Sequence, residues 1–193
     1  MKVNEFFDKV VVINLDRRTD RMEKLDLQLK ELGIQYKRFS AVDAIKLNID
    51  PIVAGLRSHL QVIKDNIGRR VLVLEDDAYF VDNFNEKFEK VMQTLPEDWD
   101  IFYLGALLPK DVGQINMVNR HWGIQVLTTG TQAYCIRPEM QHYFISRLED
   151  YNYYIDIGLR DFAKGYKPYI TQPNLVTQFP SYSDLRLKEV NDF

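Results

Sequence analysis

Short apolar runs alternate with amphipathic helical segments along the first half of the chain. The β-branched run VVVINL (10–15) has the length of a buried strand, and the next segment carries leucines at helical spacing as far as Gly33. A second helical pattern (52–68) precedes another apolar run, VLVL (71–74). This alternation predicts an α/β fold with a mostly parallel, Rossmann-type sheet and helices on both of its faces.

Length, charge and cysteine usage narrow the class of protein. The length of 193 residues predicts a single domain over residues 1–193. The chain is 46% hydrophobic and carries a net charge of −3. Nucleic acid is not an expected partner, because its binding favours a basic surface. Cys135 is the only cysteine, and no apolar stretch approaches the length of a membrane span. We therefore expect a cytoplasmic protein without a transmembrane segment.

Three adjacent acids, Glu75, Asp76 and Asp77, follow the VLVL strand directly. Ligands of open α/β sheets bind at the carboxyl ends of the strands, where these acids would lie. Successive strand residues face opposite ways, so the three cannot all serve one ligand in the same manner. Carboxylate oxygens suit Mg²⁺ or Mn²⁺, which makes a divalent cation the predicted partner. The alternative is a solvated loop or a helix N-terminus.

Metal chemistry at a strand end favours phosphate-containing substrates. A metal-dependent phosphohydrolase would need an aspartate nucleophile with a second aspartate two residues later, and EDDAY lacks that order. A glycosyltransferase would use the acids to hold a metal that bridges the diphosphate of a nucleotide sugar. A non-catalytic module that binds nucleotide sugars or glycans is the remaining alternative.

Six segments stand out, in order over roughly residues 8–185: VVINLDRRTDRMEKL (11–25), GLRSHLQVIKDN (55–66), VLVLEDDAYF (71–80), LPEDWDIFYLG (95–105), GTQAYCIRPEM (130–140) and PNLVTQFPSYSDL (173–185). Together they resemble glycosyltransferase family 25, which contains bacterial lipooligosaccharide galactosyltransferases and collagen galactosyltransferase domains. Two positions depart from the family pattern: Arg57 stands where leucine is commoner, and Gln132 replaces a histidine.

This resemblance implies a GT-A-like fold and a metal-assisted, inverting transfer of a hexose, galactose or glucose, from a UDP-sugar. The acceptor would be a hydroxyl of a glycan or a protein, with lipopolysaccharide biosynthesis as one setting. The acidic stretch also resembles the EDD of animal N-glycan GlcNAc transferases, in which the last acid binds Mn²⁺. By that likeness Asp77 is the predicted Mn²⁺ or Mg²⁺ ligand, and Glu75 and Asp76 face the nucleoside or donor sugar.

Further donor-binding residues are predicted after the first strand. Asn14 and Leu15 end it, where backbone groups would be free to bind a uracil edge. Arg17, Arg18 and Arg21 would follow on the first helical turn, and guanidinium groups suit diphosphate oxygens. A solvated helix face is the alternative for these arginines.

The remaining candidates come from later segments. His59, at the polar edge of an apolar helix, is predicted to have a structural or donor-binding role, and a core histidine is the alternative. Inverting transfer needs a base for the acceptor hydroxyl. Asp156 matches an aspartate of the family and is the predicted base, with Asp161 in reserve. The alternative is that Asp156 caps the helix that follows it. If the family histidine at position 132 contributes to donor or metal binding, Gln132 alters that contribution.

Overall fold

The computed structural model describes residues 1–107, 116–124 and 129–179, together with the backbone of two short strands, 181–183 and 188–190. Residues 180 and 184–185, which end the last segment similar to family 25, lie outside this description. Within the described ranges, no helix has both the length and the apolar character needed to cross a membrane.

The helices of the described residues are α1 (Val3–Phe6), α2 (Thr19–Glu31), α3 (Ala44–Leu47), α4 (Pro51–Lys64), α5 (Phe84–Met92), α6 (Gln141–Leu148) and α7 (Ile155–Phe162), with a 3₁₀ turn at Pro138–Met140. The strands are β1 (Lys9–Asn14), β2 (Lys37–Ser40), β3 (Val71–Glu75), β4 (Ala78–Phe80), β5 (Ile101–Leu107), β6 (Trp122–Ile124), β7 (Thr129–Ile136), β8 (Pro168–Thr171), β9 (Val176–Gln178), β10 (Ser181–Ser183) and β11 (Lys188–Val190).

The described strands form one central sheet in the order β2-β1-β3-β7-β5-β8-β6. β1 pairs in parallel with β2 and β3, and β5 pairs in parallel with β8. β7 runs antiparallel between β3 and β5, and β6 is antiparallel to β8 at the edge. The strands β2, β1, β3, β5 and β8 therefore share one direction, which confirms the mostly parallel sheet that the sequence predicts.

Both faces of the sheet are covered by helices, which explains why its strands are continuously apolar. Along β1, Val10 and Val12 belong to the core that includes α2 and α5. Val11 and Ile13 belong to the opposite core, built with α4, α6 and α7. The predicted α/β class with helices on both faces is confirmed.

A short ribbon of β4 and β9 holds the end of the acidic segment in place. β9 crosses β5 at Gly105, where an added Cβ would lie 1.6 Å from the carbonyl oxygen of Val176. β9 then pairs antiparallel with β4, and the Phe179 N–H donates to the Asp77 carbonyl oxygen at 2.8 Å. The crossing therefore brings the residues after β9 beside the acids that follow β3.

Candidate active site

A cavity of about 210 Å³ lies at the carboxyl ends of β1 and β3, next to the start of β7. Part of its lining is apolar and comes from the loop before α3, from α3 and from the start of α4, with Ala41, Val42 and Ile52 among its residues. Most of the charged side chains of the lining lie at the ends of β1 and β3. The lining as a whole includes most of the predicted site residues: Leu15, Arg17, Arg21, His59, Glu75, Asp76, Asp77 and Asp156.

Asp76 is buried, and both of its carboxylate oxygens have protein partners. Arg21 Nη1 donates to Oδ1 at 2.7 Å, and Asn14 Nδ2 donates to Oδ2 at 2.8 Å. Asn14 is itself fixed, because Arg38 Nε donates to its Oδ1 at 2.7 Å. Burial raises the pKa of Asp76, although Arg21 and Asn14 oppose that rise. This carboxylate holds Arg21 against the cavity.

Asp77 lies beside Asp76 with weaker compensation of its charge. The same Arg21 Nη1 is 3.3 Å from Asp77 Oδ2, and Gln178 Nε2 is 3.5 Å from Oδ1. Burial and the neighbouring Glu75 carboxylate raise the pKa of Asp77 to about 7, and Arg21 only partly offsets them. The Asp77 side chain remains 16% exposed. It is the acid of the cluster that most needs a further cation.

Glu75 is held on the other side of the cluster by residues from α4 and β7. The Thr131 hydroxyl donates a short hydrogen bond to Glu75 Oε1, and His59 Nε2 lies 3.5 Å from the same oxygen. His59 Nδ1 in turn lies 3.1 Å from the Tyr134 hydroxyl. Burial alone would raise the pKa of Glu75, but His59, Thr131 and Arg21 outweigh it and lower that pKa below its ordinary value.

A divalent cation fits the charge balance of this cluster. Asp76 and Asp77 share the Arg21 guanidinium, and burial together with the neighbouring Glu75 carboxylate raises the pKa of Asp77. No group of three or more His, Cys, Asp or Glu side chains within the described ranges is arranged to hold a metal ion by itself. An ion bound beside Asp77 would therefore take most of its coordination from a bound anion and water.

Asp156 lies in the first turn of α7 and lines the same cavity. The Gly130 N–H donates to its Oδ2 at 3.0 Å, and the Ile157 N–H donates to its Oδ1 at 2.8 Å. The N-cap residue of α7 is Tyr154, so Asp156 is not the cap that the alternative interpretation proposed. Asp156 does accept a hydrogen bond from one backbone N–H of the first turn, that of Ile157. Asp161 pairs with Arg160 and Lys164 at 3.2 Å, and it is not part of the described cavity lining.

The predicted arginine cluster is divided by the start of α2. Arg17 and Arg18 lie before the helix, and the prediction that they share its first turn is wrong because α2 begins at Thr19. Arg17 lines the cavity with Nε 3.4 Å from Asp43 Oδ2, whereas Arg18 pairs with Asp20 at 2.9 Å and is outside the described lining.

The prediction of free backbone groups at Asn14 is also wrong. Its carbonyl oxygen accepts from the Ala41 N–H at 2.9 Å and from Arg38 Nη2 at 3.2 Å. The Leu15 carbonyl oxygen accepts from the Arg18 N–H at 2.8 Å, although Leu15 itself lines the cavity. Asn14 acts through Asp76, and it is outside the described lining.

Gln132 lies behind Gly130 and is buried. Its Oε1 has no hydrogen-bond partner among the described residues. An added Cβ at Gly130, whose φ is +95°, would lie 2.6 Å from that oxygen. Gln132 is not part of the described cavity lining, so any effect on the site would pass through Gly130.

Three contributors were missed by the sequence reasoning: Thr131, Tyr134 and Gln178. Thr131 and Tyr134 lie within the GTQAYCIRPEM segment, and Gln178 lies within PNLVTQFPSYSDL. Both segments resemble family 25, but the resemblance does not show which of their side chains contact the acids. Those contacts depend on the order of the strands in the sheet. β7 pairs with β3, and β9 pairs with the strand that follows the acids.

Comparison with known proteins identifies glycosyltransferases as relatives. No protein-family model matches the chain. A putative glycosyltransferase, R655, of Acanthamoeba polyphaga mimivirus is 29% identical over 165 residues, covering 74% of this chain and 48% of that protein. Human procollagen galactosyltransferase 2 is 32% identical over 129 residues, covering 51% of this chain and 21% of that protein.

One further relative and one solved structure are also similar to this chain. The human inactive glycosyltransferase 25 family member 3 is 32% identical over 129 residues, covering 51% of this chain and 22% of its own length. A solved glycosyltransferase involved in glycosylation of the major capsid of PBCV-1 aligns over 86% of this chain and 94% of that chain, with 8% identity and a TM-score of 0.45.

The present chain spans about half the length of the mimivirus protein and about a fifth of the human proteins. The curated relatives are named as glycosyltransferases, and one of them carries the family 25 name. The resemblance predicted from the sequence is confirmed: the chain is similar to members of glycosyltransferase family 25.

Proposed function

We propose that this chain is a glycosyltransferase that transfers a hexose, galactose or glucose, from a UDP-sugar to a hydroxyl of a glycan or a protein. The observation that carries the proposal is the juxtaposition, in one cavity, of an under-compensated carboxylate cluster, Arg21 and the separate carboxylate of Asp156. The family names of its relatives point the same way. A lipopolysaccharide-type acceptor stays a prediction from the resemblance.

The charged end of the cavity suits a diphosphate together with Mn²⁺ or Mg²⁺. Asp77 would contribute the protein ligand, and the ion would neutralise charge on the leaving diphosphate. Arg21 is held in place by Asp76, so its guanidinium is oriented before a ligand arrives. Arg17 adds a second positive charge to the lining. We assign Arg18 no direct contact with the donor.

Asp156 is the proposed base in an inverting transfer. The acceptor oxygen would bond to the anomeric carbon, its proton would pass to Asp156, and the bond from that carbon to the diphosphate oxygen would break with its electron pair. The Gly130 and Ile157 N–H groups fix the carboxylate of Asp156.

A non-catalytic nucleotide-sugar or glycan-binding module is the second candidate. The observation that favours it is the engagement of both Asp156 oxygens by backbone N–H groups. One relative is named as inactive. Such a module would keep the charged cavity and bind a nucleotide sugar without turning it over. The phosphohydrolase alternative gains no support from the relatives, which are named as glycosyltransferases.

Binding of UDP, measured by isothermal titration calorimetry with Mn²⁺ and then with EDTA, is the first test. We expect binding that depends on the metal and is lost in Asp77→Asn. Asp82 is exposed and lies five positions further along the chain, so Asp82→Asn is the matched control and should bind as the wild type does. Absence of UDP binding to the wild-type protein in either condition would refute the UDP-sugar proposal.

Turnover is tested separately, because binding does not distinguish the two candidates. Release of UDP from UDP-galactose or UDP-glucose is measured with galactose-terminated glycans or hydroxylysine peptides as acceptors. We expect acceptor-dependent release that falls at least a hundredfold in Asp156→Asn, given the usual contribution of a general base. UDP-sugar binding without release by the wild-type protein on any acceptor would favour the non-catalytic module.

A further inference from the structure

We propose that His59, Thr131 and Tyr134 are positioning residues that fix Glu75, so that its second carboxylate oxygen accepts a hydrogen bond from a hydroxyl of the bound sugar nucleotide. The inference rests on the proposed function, since it needs a ligand that carries sugar hydroxyls. It assigns roles to Thr131 and Tyr134, and it makes His59 a supporting residue instead of a donor contact.

The three residues hold one oxygen of Glu75 from two elements of the fold. Thr131 lies on β7 and donates to Oε1, and His59 lies on α4 with Nε2 3.5 Å from the same Oε1. Tyr134, further along β7, places its hydroxyl 3.1 Å from His59 Nδ1. The rings of His59 and Tyr134 stack with centroids 5.8 Å apart. Because α4 and β7 belong to the packed core, this arrangement is rigid.

The Tyr134 hydroxyl matches either protonation state of His59. Glu75 can only accept a hydrogen bond once ionised, so the nitrogen that faces it, Nε2, carries a proton. In neutral His59, Nδ1 then accepts from the Tyr134 hydroxyl, and in protonated His59 it donates to that hydroxyl. Burial raises the pKa of Tyr134, so its hydroxyl stays protonated and available for both roles.

The other oxygen of Glu75 is left for a ligand. Oε2 makes no hydrogen bond or ion pair within the described part of the chain, and the Glu75 side chain lines the cavity with 25% exposure. Asp76 differs, because both of its oxygens are engaged by Arg21 and Asn14. Glu75 is thus the acid that combines a fixed position with an unused acceptor.

The negative charge of Glu75 determines which group of the ligand can form a hydrogen bond with it. An ionised carboxylate repels the diphosphate, and it accepts hydrogen bonds but donates none. A hydroxyl is the group of a UDP-sugar that can donate to it. The ribose and the hexose both carry hydroxyls, so these are the two sources that an experiment must separate.

The test combines protein variants with ligands that lack single hydroxyls, in a double-mutant cycle measured by calorimetry with Mn²⁺. UDP is compared with 2′-deoxy-UDP and 3′-deoxy-UDP for the ribose, and UDP-galactose is compared with its 2-, 3-, 4- and 6-deoxy analogues for the hexose. The proteins are the wild type, Thr131→Val, Tyr134→Phe and His59→Leu. Tyr143→Phe is the matched control, since its hydroxyl donates to the Phe162 carbonyl oxygen at 3.0 Å, outside the cavity lining.

We expect the wild type to prefer the ligand with the critical hydroxyl by about tenfold or more, as is usual for a hydrogen bond to a charged group. That preference should fall to about threefold or less in Thr131→Val and His59→Leu, and partly in Tyr134→Phe, whereas Tyr143→Phe should keep it in full. A general loss of stability would weaken all ligands equally and leave the preference intact. Urea unfolding of each variant confirms that it is folded.

Three outcomes contradict the inference in different ways. A wild-type protein that binds UDP but shows no preference in either ligand pair has no Glu75–hydroxyl contact. A preference that survives in Thr131→Val, a variant that changes only one hydroxyl to a methyl group, shows that Glu75 is not positioned through Oε1. A wild-type protein that binds neither UDP nor UDP-galactose overturns the proposed function itself.

Discussion

Asp77→Asn should stabilise the metal-free protein at alkaline pH, because the wild-type carboxylate ionises in an unfavourable place. Burial and the Glu75 carboxylate raise the pKa of Asp77 from its ordinary value of 3.8 to about 7. A pKa raised in the folded state means that the folded protein holds its proton more tightly than the unfolded chain does. Stability therefore falls as the pH rises from about 4 to about 7, and the loss is complete above pH 7.

The size of the effect follows from the shift in pKa. About three units correspond to roughly 4 kcal/mol between the two protonation states, all of which opposes folding at pH 8. The asparagine variant removes the charge but loses the Asp77 ion pair with Arg21 and keeps the burial of a polar group. We therefore expect Asp77→Asn to gain about 1–3 kcal/mol in the free energy of unfolding at pH 8 and less at pH 5.

Urea unfolding in EDTA at pH 5 and pH 8 measures this prediction, with the exposed Asp82→Asn as a control expected to change stability by less than about 0.5 kcal/mol. Mn²⁺ with UDP should reverse the order at pH 8, since ligand at a thousand times its dissociation constant stabilises the wild type by about 4.1 kcal/mol. A variant that is less stable than the wild type in EDTA at pH 8, or that keeps the wild-type dependence on pH, would refute the reasoning.

Three further predictions concern the frame around the site. Gly105→Ala should lower the free energy of unfolding by about 3 kcal/mol or more in urea unfolding, because its Cβ would collide with a backbone carbonyl. Gly33→Ala is the comparison: its φ is +69° but the space around it is open, so the loss should be only about 1 kcal/mol. Arg21→Met should lose about 3–5 kcal/mol by the same assay, because buried Asp76 would lose its cationic partner, and an unchanged midpoint would contradict that role. Cys135 should resist iodoacetamide in the folded protein, since burial raises the pKa of its thiol, and modification at the rate of a free thiol would contradict it.

The sequence predicts the fold well because its signals are local. The length and apolarity of VVVINL and VLVL reflect strands that are buried on both faces, and the helical spacing before Gly33 ends where a left-handed residue is needed. The antiparallel insertion of β7 between β3 and β5 is not a local property, since it depends on which strands pair. The same limit explains why the role of Gly105 is visible only once β9 crosses it.

The candidate site shows the same division. The acidic part of the site can be predicted from the sequence, because three adjacent carboxylates after a buried strand need a partner. The partners of Glu75 arrive from α4 and β7, more than a dozen residues away in either direction, and no pattern in the sequence connects them. The placement of Arg18 was wrong because residue type alone does not show where a helix starts. Arg17 lines the cavity, whereas the adjacent Arg18 pairs with Asp20 outside the described lining.

The three acids lie in different environments, because Glu75 ends β3 whereas Asp76 and Asp77 form the turn before β4. Asp76 uses both oxygens inside the protein and so serves Arg21. Asp77, with the weakest compensation, is the acid that gains most from a metal ion. Glu75 has one oxygen held and one unused, and its extra methylene group relative to aspartate lets the carboxylate reach Thr131 and His59 on neighbouring elements. Exchanging Glu and Asp between these positions would preserve the charge of the cluster and still remove its function, because the roles depend on reach and partners.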